Sequence, residues 1–257
     1  MHLKALIKSP LRWLVAKAGY ELVPLNPLGL NAFGRDPFRD IRLLCEKWNY
    51  PVQIVFDVGA NDGETSLKAV KQFPDAKIFA FEPHPETFLR LAGVSKEYAA
   101  IDPVHVALGA EAGDRVMHTY EIRQINSLVP DARFPVRFGK QSSPITVKCS
   151  TVDLFCAERK IERIDVLKID TEGFDLEVIK GADAMLRKGA VSFVYFEFND
   201  IQPRDDAKGG ALAPIDEFLR LYQYRFIASY NDYLVADGDL FAVSNALYAL
   251  PRNVVKA

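Results

Sequence analysis

Only three of the 257 residues are cysteine, neither sign of charge dominates, and no apolar run reaches the roughly 18–20 residues of a membrane span. Cys45, Cys149 and Cys156 are odd in number, follow no zinc-ligand spacing and contain no C-x-x-C pair. Neither a disulfide framework nor a zinc centre is therefore expected; three structural thiols in a reducing, cytoplasmic setting are. With 34 acids against 32 bases and no Lys/Arg stripe, the chain is a poor match for a phosphate backbone, and nucleic acid is not an expected partner. Glycine and proline, 15 of each, are scattered, which excludes collagen-like and linker compositions. Hydrophobic content of 49% with a net charge of −2 excludes a mostly disordered chain. A chain this long buries roughly 70–75% of its unfolded surface and needs no staple to hold a core.

The first twenty residues lack any acid. Lys4, Lys8, Arg12 and Lys17 are interleaved with Leu3, Leu6, Ile7, Leu11, Trp13, Leu14 and Val15, leaving a net −6 for the remainder. The cations interrupt the apolar region a signal peptide needs. Two readings stand: a helical segment docked on the domain, or peripheral contact with an anionic membrane surface through residues 1–20. Pro10 argues against one long helix. The expected organisation is an N-terminal helical extension, 1–50, ahead of an α/β domain, 51–257.

That domain alternates strands and helices. Strands are predicted at 54–58, 78–81, 104–108, 166–170 and 191–198, and helices at 62–73, 85–94, 174–187 and 215–223. Strands near 225–229 and 240–244 lack a helix-length connection and are expected to pair antiparallel. Segments 115–122 and 145–152 break the rhythm, so 114–152 is read as an inserted hairpin or flap. Residues 199–214, with Gly209, Gly210, Asp205 and Asp206, are a candidate lid. Such alternation builds a parallel sheet covered on both faces, with ligands at the carboxyl ends of its strands.

Three strand ends carry chemistry. The turn Asp57-Val58-Gly59-Ala60-Asn61-Asp62-Gly63 reads G-x-x-x-G rather than the dinucleotide G-x-G-x-x-G. Asp57 and Asp62 would repel a pyrophosphate, and no Lys or Arg in the turn offsets them. The ammonium and sulfonium of S-adenosylmethionine would instead be attracted. Glu82 ends the second strand, where a carboxylate can accept both hydroxyls of a ribose; a helix-capping acid is the plain alternative. Asp170 and Glu172 stand two residues apart at the next strand tip, where acids act as base, cation stabiliser, metal ligands or helix caps.

The segments DVGANDGETS (57–66), FEPHPETF (81–88), the Val-Ala-Leu-Gly at 106–109 and above all LKIDTEGFDLEVIKGA (167–182) resemble the FkbM-type methyltransferases. The resemblance runs from about 54 to 198. Thr171 and Asp175 are mild departures, and the two tails are left unassigned. It implies a class I methyltransferase fold, a Rossmann-like sheet of seven mostly parallel strands with the last antiparallel. It also implies S-adenosylmethionine as methyl donor, S-adenosylhomocysteine as product, and O-methylation of a carbohydrate, glycolipid or polysaccharide precursor, or of a polyketide-type metabolite. By carry-over, Asp57, Gly59, Ala60, Asn61, Gly63 and Thr65 line the methionine side. Glu82 holds the ribose, Pro83 and His84 also bind the cofactor, Ala107 and Leu108 flank the adenine, and Asp170 and Glu172 lie near the methyl-transfer point.

Methylating a hydroxyl needs alignment, exclusion of water and a base. The candidate bases are Asp170, Glu172 and Glu197, the last an acid inside an apolar strand. His84 is a further candidate, since histidine titrates in the right range. The acids could instead bind Mg²⁺ to orient a diol, but no metal ligand set is assigned. A nicotinamide dehydrogenase is disfavoured by the acidic turn, and a nucleic-acid N-methyltransferase by Asp170-Thr171-Glu172-Gly173 standing where an (N/D)-P-P-(Y/F) turn belongs. A non-catalytic module of the same fold would be expected to have lost these acids.

Overall fold

The computed structural model describes residues 33–129, 140–198, 211–236 and 240–251, together with Lys17. Of the basic segment 1–20 all but Lys17, and of the candidate lid residues 199–210, lie outside the described residues.

Helix α1 (Pro37–Trp48) starts where Asp36 accepts a hydrogen bond from the Arg39 N–H, with proline in the first turn, and stops at Asn49 in the left-handed conformation. Its inward face places Phe38, Ile41 and Cys45 in the same buried cluster as Val55, Phe193 and Tyr195 of the sheet. The chain then alternates: β1 (Ile54–Val58), α2 (Glu64–Gln72), β2 (Lys77–Phe81), α3 (Pro85–Ser95), β3 (Ile101–Val104). After the insertion come α4 (Val152–Arg159), β7 (Ile164–Ile169), α5 (Asp175–Lys180), α6 (Asp183–Arg187), β8 (Val191–Phe198), α7 (Leu212–Leu221), β9 (Arg225–Ala236) and β10 (Leu240–Ala249). The main sheet runs β3-β2-β1-β7-β8-β10-β9, parallel through β8, with β10 antiparallel to both neighbours. This is the expected seven-stranded sheet.

Both faces of the sheet are covered, so its central strands read as unbroken apolar runs. Val55, Ile78 and Val166 face the α1–α2 side. Phe56, Phe79 and Leu167 face the other, where Phe56, Phe81 and Phe155 pack edge-on or tilted with ring centroids 4.8–5.6 Å apart. Each such ring stabilises the fold by about 1.5–3 kcal/mol through burial. The cluster underlies Glu82, which directly follows Phe81.

Four expectations change. The third strand is not 104–108: β3 ends at Val104, and Ala107–Leu108 forms β4 of a second sheet, beside Cys149 and Ser150 of β6 (Ile145–Ser150). His105 turns the chain out, its ring stacked on Phe88 at 4.4 Å and its Nε2 3.1 Å from the Pro83 carbonyl. The helix expected at 174–187 is two short helices, broken at Gly181. A Cβ there would sit 2.0 Å from the Gly109 carbonyl oxygen, so only glycine permits the contact. The insertion is more than a hairpin. β5 (Gly113–Met117) and β4 flank β6 in the three-stranded second sheet, and bridges join His118 to Ser127 and Tyr120 to Gln141. β9 and β10 also exceed their predicted lengths. Their outer ends pair with each other beyond the Ser244–Phe198 register at which β8 stops, after a register shift at Val243/Ser244.

Candidate active site

At the carboxyl ends of β1, β2 and β7 lies a cavity of about 340 Å³. Gly59, Ala60, Asn61, Thr65, Glu82, Pro83, Ala107, Leu108 and Asp170 line it, as does Glu172. Asp57, Gly63, His84 and Glu197 do not.

The glycine turn is shaped by crowding. Gly59 has φ +73°, and a Cβ there would meet the Asp170 carbonyl oxygen at 1.9 Å. Glycine is required on both counts. The Gly59 and Ala60 N–H groups donate to the Phe81 carbonyl, locking the turn against β2. Asn61, at φ +47°, donates its N–H to Glu82 Oε2 at 3.0 Å, and the His84 N–H donates to Oε1 at 2.8 Å. Both Glu82 oxygens are thus fixed from one side by backbone donors. Burial pushes Glu82 up to about 7, against the pull of those two N–H groups. Such a carboxylate gains from further donors, and a vicinal diol supplies two. His84 therefore contributes its backbone here. Its ring Nδ1 faces Thr87 Oγ1 at 3.3 Å, and burial lowers its pKa.

Asp57 is buried, accepts a 2.6 Å hydrogen bond from Ser66 Oγ, and pairs with the Lys168 ammonium at 2.8 Å. The same ammonium donates to the Gly59 carbonyl at 3.2 Å and lies 3.6 Å from Asp170. Burial works against Lys168's charge, but Asp57 and Asp170 outweigh it and hold its pKa above the usual value. Asp62 is paired with Arg90 at 2.7 Å. The sequence argument that nothing offsets the two acids of the turn is therefore corrected: each has a cation, supplied by a distant element. The next strand tips carry a further group of acids. There the carboxylates of Asp170, Glu172 and Glu197 offer oxygens all within 4.8 Å of one another. Burial, then the charges of Asp170 and Asp175, raise Glu172 well above the usual carboxylate range. Asp175 behind it is pushed up to about 7 by burial and by Asp170, against hydrogen bonds from Thr171. Three such oxygens suit a shared proton, a bound cation or a hard metal ion.

Residues 57–226 match the profile of the FkbM methyltransferase domain. The chain belongs to the FkbM methyltransferase family. Three relatives place it further. The 2-O-methyltransferase NoeI of Sinorhizobium fredii is 28% identical over 175 residues, covering 63% of this chain and 68% of that one. The hexuronic acid methyltransferase AglP of Haloferax volcanii is 29% identical, covering 65% of each chain. The 31-O-demethyl-FK506 methyltransferase FkbM of Streptomyces tacrolimicus is 28% identical, covering 76% and 80%. The match thus spans about two-thirds of the length of the first two relatives.

The family block 167–182 divides physically into three parts. Lys168 ties β1 to β7, Asp170 and Glu172 face the cavity, and Gly181 makes the close contact with Gly109. Sequence reasoning missed Lys168, although a lysine inside a buried apolar strand is itself a signal. It also missed the far wall, where the insertion contributes Met117, Arg123, Gln124, Asn126, Ser127 and Leu128. Nothing local in the sequence marks those residues.

Proposed function

We propose that this FkbM-family methyltransferase uses S-adenosylmethionine to O-methylate a hydroxyl of a carbohydrate, glycolipid or polysaccharide precursor. The observation that carries this reading is the division of the cavity. Glu82 and Asp170 follow β2 and β7, which flank β1, and two inter-strand steps separate them by about 10 Å. One tip offers an acceptor pair for a diol, the other a cluster of acids, and Ala107, Leu108, Met117 and Phe174 add apolar surface for a flat ring. Those are the three chemistries of a nucleoside that carries a cationic tail. When bound, the cofactor supplies a methyl group on a sulfonium, already a good electrophile.

The remaining work falls to this chain. Glu82 holds the ribose hydroxyls, and the turn at Gly59 and Ala60 lines the cavity beside it. A sugar hydroxyl does not ionise near neutral pH, so a carboxylate must take its proton as the new bond forms. Asp170, 3.6 Å from the Lys168 ammonium, is the group assigned to accept that proton, with Glu172 and Glu197 beside it to share it. The names of NoeI and AglP support an oxygen acceptor, and AglP a sugar acid in particular. FkbM supports the second reading, a polyketide-type acceptor.

The test is methyl transfer from labelled S-adenosylmethionine to uronic-acid glycosides, neutral hexosides and macrolide polyols, with and without EDTA. Transfer to a glycoside that survives EDTA supports the sugar and proton-transfer reading. Transfer to the macrolide alone moves the assignment to the second reading. Loss on chelation assigns the three acids to a metal.

A further inference from the structure

We propose that Ser127, carried by the insertion, is a positioning residue that aims the Glu172 carboxylate at Asp170 and Glu197. The inference rests on the acid-cluster reading above and adds to it a role for the insertion.

Glu172 lies in left-handed backbone, φ +53°, between Thr171 and Gly173, itself at φ +92°. A residue with a Cβ is disfavoured there by about 1–2 kcal/mol, so neighbouring structure must hold it. Two anchors do so. On one side Asp175 Oδ2 accepts from the Thr171 hydroxyl at 2.9 Å. On the other the Ser127 hydroxyl donates to the Glu172 carbonyl at 2.7 Å, across 45 residues of sequence.

Ser127 is itself rigidly held. It is 1% exposed, its hydroxyl oxygen accepts from the Val129 N–H at 3.0 Å, and its backbone exchanges two hydrogen bonds with His118. Next to it, the Asn126 side chain accepts from the Tyr120 N–H at 2.9 Å. The insertion thus presents one fixed donor to the one strained carbonyl of the catalytic loop. Without that bond the carbonyl loses its partner, and the peptide is free to leave the left-handed well. The Glu172 side chain would then swing away from the two acids it now faces. Because Ser127 and Glu172 line the same cavity as Glu82, the insertion serves as wall and as brace at once.

The test is carboxyl ¹³C NMR titration of the full chain saturated with S-adenosylhomocysteine, the Glu172 signal being assigned with Glu172→Gln. In the wild type this signal titrates well above the usual carboxylate range. In Ser127→Ala it moves toward that range by at least one pH unit, and in Ser127→Thr, which keeps the hydroxyl, it stays with the wild type. S-adenosylhomocysteine binding is measured in parallel by calorimetry to establish that each variant is folded and saturated during the titration. A Ser127→Ala protein that binds the ligand and leaves the Glu172 titration unmoved overturns the proposal. A wild type that binds no S-adenosylhomocysteine overturns the cofactor reading instead. If Ser127→Ala does not fold, Ser127→Thr decides alone, since a displaced Glu172 signal despite the retained hydroxyl contradicts the brace.

Discussion

Strand β7 carries an acid near each end, and the two are treated in opposite ways. Asp165, near its start, is wholly buried and saturated. It accepts from the Tyr50 hydroxyl at 2.6 Å, from the Gln53 and Ile54 N–H groups at 2.7 and 2.9 Å, and from Arg163 at 2.8 Å. Asp170, just past its end, shares its surroundings with Glu172 and Glu197 and has one cation at 3.6 Å. The first acid stitches α1's exit and β1 to the sheet. The second group brings three carboxyl groups together at the strand tips, which costs stability and is kept where a reaction needs it. Clustering with other acids, rather than burial, separates the second group from the first.

The largest expected effect falls on the crowded end. Asp170→Asn or Glu172→Gln should reduce methyl transfer about 10²–10⁴-fold, the range for loss of a general base. Glu172→Gln should not destabilise the fold, because that carboxyl is held well above the usual carboxylate range and has little charge to lose; denaturant titration checks this. Asp165→Asn should do the reverse. An amide presents N–H to groups that are already donors, so unfolding free energy should fall by about 3 kcal/mol while transfer per folded molecule holds. Should Asp165→Asn abolish transfer in folded protein, the contrast between the two ends would collapse.

A smaller effect concerns pH. Glu82 is raised to about 7 in the free protein, and hydroxyl donors favour its ionised form. Binding of S-adenosylhomocysteine should therefore release a proton at pH 6, and affinity should fall about tenfold per pH unit below 7 and level off above it. Calorimetry in buffers of differing ionisation enthalpy reads the proton directly. Glu82→Gln should flatten the profile.

What was legible in the sequence follows the same division between local and distant. β1, β2 and β8 and the Gly59 turn depend on short apolar runs and a steric demand, both visible residue by residue. Asp170 and Glu172 announced themselves as acids at a strand tip. The route of 104–108 was not legible, because an apolar stretch there suits either sheet, and pairing with Cys149 and Ser150 decides it. The cations of the glycine turn were not legible either, since Lys168 and Arg90 reach Asp57 and Asp62 from other elements. The insertion's wall, Ser127 included, exists only once the second sheet has folded against the first.

The most direct test of the account is calorimetric titration with S-adenosylhomocysteine at pH 8 of the wild type, Glu82→Ala and Asp165→Asn. The account predicts micromolar binding by the wild type, about 100-fold weaker binding by Glu82→Ala through loss of charge-assisted hydrogen bonds, and unchanged affinity in folded Asp165→Asn. Binding that Glu82→Ala retains in full would contradict it, because the ligand would then lie outside the cavity between β2 and β7.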